Sequence, residues 1–260
     1  MSTTDAASSM PEWLALREDA DARARATEPL AELYDHGRVV ADLGCGTGSL
    51  GRWLAPRLPG ERSWLLLDRD QELLDLARAS VPGTEVTTRR LDLESLRATD
   101  LDGVTLVTAS ALLDVLTRAE VRALTGAVAT RGCPALLSLS VVGRVEFLPA
   151  DPLDEAFGTA FDDHQRRRGR LGPDAPGFAT AAFTRLGYEV RSYPSPWRLG
   201  PDDAELARAW LRGWVEAAVE QDGSLPGREY LERRLSACAG EDWRVVVHHT
   251  DLLALPRAAR

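Results

Sequence analysis

Apolar residues along this chain gather in short runs, and segments of helical period fill the gaps between them. The runs are Val39 to Leu43, Ser63 to Asp68, Val104 to Ala109, Pro134 to Val142 and Trp243 to His249, and the more polar stretches Glu85 to Leu91 and Tyr188 to Tyr193 complete the series. Most are too short and too apolar for helices and read as strands of a buried sheet. Leu50, Trp53 and Leu54 recur at helical spacing, as do Leu73, Leu74, Leu76 and Ala77. Further helices are predicted to begin at Ser110, and over Pro152 to Arg168, Pro173 to Leu186, Asp202 to Gln221 and Leu225 to Ala239. Pro11 to Leu33 reads as helix with a break at Pro29. Strand and helix in alternation predict an α/β chain with a doubly wound sheet.

The divisions follow from the same pattern. Residues 1–10 are small and polar and are expected to form a disordered tail. Residues 11–260 read as one domain, with N-terminal helices over 11–37. Residues 143–172 and 194–240 are helical insertions after the fifth and sixth strands, too long for ordinary connections.

The stretch VVADLGCGTGSLGRWL, Val39 to Leu54, is where chemistry first becomes legible. A buried strand ends at Asp42 and Leu43, and Gly44, Gly46 and Gly48 follow at alternate positions. Glycines so spaced let the backbone turn sharply and let a ligand approach it. The next helix begins near Thr47 to Leu50, with its free N–H groups directed at the loop. Gly46, Gly48 and Gly51 also satisfy G-x-G-x-x-G, which in a Rossmann unit holds a dinucleotide pyrophosphate. Asp42 argues the other way, because a carboxylate there would repel a pyrophosphate and suit an amino-bearing ligand. Asp68 ends the second strand and Asp92 follows the third, so three acids occupy one repeating place.

The D-L-G-x-G-x-G pattern with these strand-end acids resembles the class I S-adenosylmethionine-dependent methyltransferases, of the small-molecule type and in a bacterial group. The resemblance covers about Arg38 to Val142. It implies a seven-stranded sheet whose last strand returns antiparallel beside the sixth. It also implies S-adenosylmethionine as cofactor, with S-adenosylhomocysteine as product. Cofactor contacts then fall to Asp42, Gly44, Cys45, Gly46, Thr47, Gly48, Asp68, Arg69, Asp92, Leu93, Ala109 and Ser110, with Arg17 reaching over from the N-terminal helix. Asp68 would accept from the ribose hydroxyls and Asp92 from the adenine amine. The fourth strand ends in T-A-S-A, where methyltransferases acting on nucleobase amines often carry N-P-P-Y, so a nucleobase acceptor is disfavoured.

Composition then narrows the field. The chain has 260 residues, a formal net charge of -9, and no lysine, asparagine or isoleucine. No Walker lysine or Schiff base can exist here. An acidic chain has no general attraction to nucleic acid or anionic membrane. Cys45, Cys133 and Cys238 lie far apart, without C-x-x-C, and suggest neither disulfides nor a zinc site; no metal is expected. The N-terminus lacks the pattern of a signal peptide, and no apolar run approaches the ~20 residues of a membrane span. A cytoplasmic monomer or homodimer acting on a small molecule is expected.

Catalytic and acceptor residues are sought in the insertions. His164 is the first candidate for a general base by residue type, followed by Asp114 and His248. Asp114 points either toward the site or into a helix cap. Arg144, Arg166 and Arg167, with Trp197, are candidates to bind a polar or anionic acceptor. The arginine run reads equally as a solvated loop. Trp210 and Trp214 read first as core. The function these residues imply is methyl transfer to a small polar or anionic acceptor. The alternatives are an NAD-dependent oxidoreductase and a catalytically silent S-adenosylmethionine-binding module.

Overall fold

A computed structural model describes residues 9–257. The tail expected over residues 1–10 therefore lies outside the described residues, except for Ser9 and Met10. Ser9 caps the first helix, α1 (Met10–Ala24), accepting from the Glu12 N–H while Glu12 accepts from the Ser9 N–H. Helix α1 ends before Pro29, and the chain continues as a short 3-10 turn over Glu28–Leu33.

Strands β1 (Val39–Leu43), β2 (Ser63–Asp68), β3 (Glu85–Arg90), β4 (Leu106–Ser110) and the start of β5 (Ala135–Leu148) are parallel. Helices α2 (Ser49–Leu54), α3 (Gln71–Ser80) and α4 (Arg118–Arg131) connect them. After β5 come α5 (Asp154–Gln165), α6 (Ala175–Arg185), β6 (Tyr188–Pro194), β7 (Trp197–Leu199), α7 (Ala204–Gln221), α8 (Gly227–Ala237) and β8 (Arg244–Pro256). The sheet order is β3-β2-β1-β4-β5-β8-β6, with β7 paired to β8. Strand β8 runs antiparallel between β5 and β6. The expected seven-stranded path is therefore present, and β7 is an eighth strand.

One apolar layer joins α4 and α6 to the sheet through Val121, Leu124, Val128, Ala179 and Phe183. The layer on the other face joins α2 and α3 through Leu50, Trp53, Leu54, Leu74 and Ala77. Covered on both faces, the central strands are mostly apolar, with Asp42 and Thr108 as buried polar exceptions.

Two strands are longer than their apolar runs. β5 continues past Val142 into the segment expected to open a helical insertion, with register shifts between Leu137 and Ser140 and between Val141 and Val145. β8 continues past His249 to Pro256. Together they carry an arm beyond the parallel sheet, where Val145 to Leu148 pair with Arg244 to Val247. β7, within the segment expected to be a helical insertion, pairs outside that arm. Helices α1, α7 and α8 pack on it through Trp197, Leu199, Leu206, Leu211, Trp243 and Val245. The helix expected at Ser110 is instead a short turn over Leu113–Val115, and α4 starts only at Arg118, capped by Thr117. Among the described residues no helix is long and apolar enough to cross a membrane.

Candidate active site

The parallel strands end on one edge, and their terminal residues build a cleft of about 490 Å³. The turn from β1 into α2 hugs α3: Gly48 has φ +85°, and a Cβ there would meet Val81 Cγ2 at 2.5 Å. The loop is held from the next strand, because the Gly46 N–H donates to Asp68 Oδ2 at 2.9 Å. Asp68 Oδ1 accepts from the Asp70 N–H at 3.0 Å, and Asp92 accepts from the Glu94 N–H at 3.2 Å. Asp42 is buried beneath the loop. Thr108 donates to its Oδ1 at 2.8 Å, while Oδ2 has no partner. Burial pushes this carboxyl up to about 6, opposed by the Thr108 hydrogen bond and the Arg25 guanidinium. Arg25 is itself buried and donates to Ser49 and Ser110, both lining the cleft.

A second chamber, of about 260 Å³, opens beside the cleft. Arg17, Ala111 and Val115 line both spaces. Its walls are largely aromatic: Trp13 of α1, Phe161 of α5, Trp197 of β7, and Trp210 and Trp214 of α7. The polar groups among them are Asp114, Asp162, Gln165, Arg144, His248 and His249. Two non-glycine residues on its wall have left-handed backbones, Ala111 (φ 51°) and Leu139 (φ 55°). Such conformations cost roughly 1–3 kcal/mol and gather at functional sites. The Leu139 backbone is held by the buried Asp251, which accepts its N–H at 2.7 Å and that of Ala26 at 3.0 Å.

The structure gathers most of the predicted cofactor residues. Arg17, Asp42, Gly44, Cys45, Gly46, Thr47, Asp68, Arg69, Asp92, Leu93 and Ser110 line the cleft, while Gly48 and Ala109 flank it. Cys45 is buried, its thiol pushed up by that burial and by Asp42 and Asp68. Arg17 is tied to Asp21 by bonds of 3.0 and 3.2 Å.

The catalytic and acceptor candidates divide. Asp114 and Trp197 line the chamber, and the caps beside Asp114 are Leu112 and Thr117. Arg144 lies on its rim, largely exposed and paired with Glu146. His164 is not at the site: it faces α7, with Nε2 3.0 Å from Glu220. On a helix one residue turns the side chain by about 100°, so Phe161 and Gln165 face the chamber while His164 faces the neighbouring helix. Arg166 and Arg167 are not at the site either. Arg166 is fastened to Asp163 and Asp174, and Arg167 to Glu220. The solvated-loop reading of these arginines is the one the structure supports.

Sequence reasoning missed Trp13, Phe161, Asp162 and His249. His249 had a usable signal. Alternation along β8 puts Val245, Val247, His249 and Asp251 on the buried face, so the inward histidine of the pair is His249. Its imidazole is held neutral, with a pKa of about 3, chiefly by burial, and its Nδ1 has no partner. His248 lies 3.1 Å from the exposed Glu146. Among the described residues no three His, Cys, Asp or Glu side chains converge as a metal site requires.

Residues 40–131, the strands and loops that build the cleft, match the family described as a methyltransferase domain. No curated protein matches the chain. Solved structures similar to it include the YcgJ protein of Bacillus subtilis, 14% identical over 90% of this chain and 100% of that one, with a TM-score of 0.49. A SAM-dependent methyltransferase of Geobacter sulfurreducens, crystallised with S-adenosyl-L-homocysteine, is 15% identical over 95% and 98%, with a TM-score of 0.46. Geranyl diphosphate C-methyltransferase of Streptomyces coelicolor is 9% identical over 89% and 76%, with a TM-score of 0.47.

Proposed function

We propose that this chain, a methyltransferase of class I fold, binds S-adenosylmethionine in the cleft and methylates a small polar acceptor in the aromatic chamber. The observation that carries the reading is the junction: cleft and chamber share Arg17, Ala111 and Val115. A donor in one and an acceptor in the other would meet there. The cofactor supplies an already activated methyl group, so the protein's task is chiefly to align two bound molecules.

The residues present suit that cofactor. Asp42 Oδ2 is buried and unpartnered beneath the glycine loop, a place an ammonium group would complete. Asp68 spends one contact per oxygen on backbone N–H groups and keeps lone pairs for ribose hydroxyls. Asp92 stands two residues past β3 on the cleft wall, where it can accept from the adenine amine. Arg17, already steered by Asp21, stands where the methionine carboxylate would lie. The chamber walls include Gly143, Arg144, Val145, Phe161, Asp162 and Gln165, so the insertion covers the acceptor side as a catalyst requires. That favours an active enzyme over a silent binding module.

Calorimetry with S-adenosylhomocysteine and with NAD tests the reading. Binding of the first and none of the second is expected. NAD binding without S-adenosylhomocysteine binding would make the protein an oxidoreductase instead.

A further inference from the structure

Two of the unpartnered polar atoms of the chamber are side-chain oxygens of acceptor type. Asp114 Oδ1 and Gln165 Oε1 are shielded from solvent, and neither has a hydrogen-bond partner. The Asp162 carboxylate stands beside them, half-buried and with no ion pair, pushed up to about 6 chiefly by burial. These three groups accept hydrogen bonds and cannot donate them while the acids are ionised. His249 adds another unpartnered acceptor or donor, according to tautomer, and Trp214 Nε1 is the one obligate donor left free.

The cations of the chamber are accounted for differently. Arg17 is bound to Asp21 and lies over the rings of Trp13 and Trp197 at 6.0 and 5.1 Å. Arg144 is paired with Glu146, and His248 faces the same carboxylate. Arg144 and His248 thus share one carboxylate, while among the described residues Asp114 and Asp162 are in no ion pair, with arginines only at longer range. An anionic occupant would have to compete with Asp21 and Glu146 for these cations and would face two acids. A cationic occupant would supply what both acids lack.

The backbone makes room for this acid. Gly143 sits in the irregular stretch of β5 with φ +69°, and a Cβ there would collide with Asp162 Oδ2 and approach Pro173 Cβ at 3.0 Å. A glycine at this point lets a carboxylate of α5 lie against the strand, at the chamber wall.

From this juxtaposition of Asp114, Asp162 and Gln165 among Phe161, Trp210 and Trp214, we propose that the methyl acceptor is an amine on a flat, apolar body. The inference rests on the methyltransferase reading and names its substrate class. Aromatic faces attract ammonium groups, and buried carboxylates bind them by charge-assisted hydrogen bonds. The bound ammonium must first lose one proton; the freed nitrogen lone pair then forms one N–C bond as the donor's S–C bond breaks with its electrons passing to sulfur, and the product is again a cation. Asp162 or Asp114 is placed to take that proton.

Three probes of similar size test this: phenethylamine, 3-phenylpropionate and 3-phenylpropanol, titrated into the full chain by calorimetry with S-adenosylhomocysteine present. The amine is expected to bind at least tenfold more tightly than the acid and the alcohol. Asp162→Asn and Asp114→Asn, each near in shape to the residue it replaces, are expected to erase that preference while leaving the S-adenosylhomocysteine affinity in place. If S-adenosylhomocysteine binds and the probes bind alike, or not at all, or the acid binds best, the amine assignment is overturned and the methyltransferase reading stands. If S-adenosylhomocysteine itself fails to bind, the methyltransferase reading falls, and the acceptor role of the chamber with it. A preference retained in both variants would overturn the role of the two carboxylates.

Discussion

Thr108 Oγ1 donates a 2.8 Å hydrogen bond to Asp42 Oδ1, between the neighbouring strands β4 and β1. One oxygen of a fully buried carboxylate is thereby satisfied and the other is not. The fold supports an ionised group here only at a cost, since the carboxyl is pushed from 3.8 to about 6. A shift of that size corresponds to roughly 3 kcal/mol.

The sign of the effect follows. A raised carboxyl holds its proton more tightly in the folded state, so the penalty is absent well below pH 3.8, grows as pH rises, and is complete above about 6. Asp42→Asn is therefore expected to be more stable than the native chain at pH 7.5, by up to about 3 kcal/mol, with the difference vanishing near pH 4. The same substitution should weaken S-adenosylhomocysteine, because the ammonium loses its counter-charge. In the native chain that affinity should fall as pH drops through about 6, and in the variant this dependence should be gone. Melting curves and calorimetry between pH 4 and 8 check both. A variant both destabilised and tight-binding would show that Asp42 is only a structural hydrogen-bond acceptor.

Asp68 serves the loop and, on the proposed reading, the ribose. Asp68→Ala should weaken S-adenosylhomocysteine by roughly 1–3 kcal/mol, the range for hydrogen bonds to charged groups. Part of that loss would come from the Gly46 N–H, released from its 2.9 Å bond. Asp68→Asn separates the two effects, since its amide oxygen can still hold Gly46. Unchanged calorimetric affinity in a folded Asp68→Ala would remove the residue from the cofactor site.

The cleft was legible in sequence because each of its acids is fixed by its own strand end. A strand of known limits fixes the residues at and just beside its end, so Asp42, Asp68 and Asp92 need only local pattern. The chamber was not legible in this way. It is assembled from α1, α5, β7, α7 and the bent halves of β5 and β8, and no local period says which of these meet. The bends at Leu139 and Gly143 break the alternation of β5, so its pattern ends at Val142 while the strand continues to Leu148. The apolar run of β8 is interrupted by His248, His249, Thr250 and Asp251, and its second half went unseen. His164 was chosen by residue type alone, whereas helix rotation assigns the chamber to Phe161, Asp162 and Gln165.

The arginine run supplies a prediction of little effect. Arg166 and Arg167 are held by Asp163, Asp174 and Glu220 on a solvated surface. Exposed pairs of this kind are worth about 0–1 kcal/mol each. Replacing both arginines by alanine should leave S-adenosylhomocysteine affinity and acceptor KM within twofold of native, and lower the melting temperature only slightly. A tenfold rise in acceptor KM with the cofactor affinity intact would return the run to the acceptor site.

The cap over the chamber hangs on one buried cation. Arg234 of α8 is 2% exposed and pairs with Asp154, the first residue of α5. It also donates to the Pro149 carbonyl at 2.7 Å and to the Tyr230 hydroxyl at 3.2 Å, and it lies 4.2 Å from the Phe147 ring. Tyr230 in turn donates to Asp154 at 2.6 Å and stacks on Phe157 at 4.0 Å. The end of β5, the start of α5 and helix α8 are thus joined through one guanidinium. Removing one partner of a buried pair typically costs about 3–5 kcal/mol, because the other charge is left uncompensated. Arg234→Met keeps the apolar stem and should incur that cost, read as a lower denaturation midpoint. Adding Asp154→Asn should recover part of it, since the stranded charge is then gone. S-adenosylhomocysteine binding at temperatures where the variant is folded should persist, because the cleft acids belong to β1, β2 and β3. If Arg234→Met melts like the native chain, the cap is held by its aromatic packing alone, and the ion pair contributes no more than a surface contact.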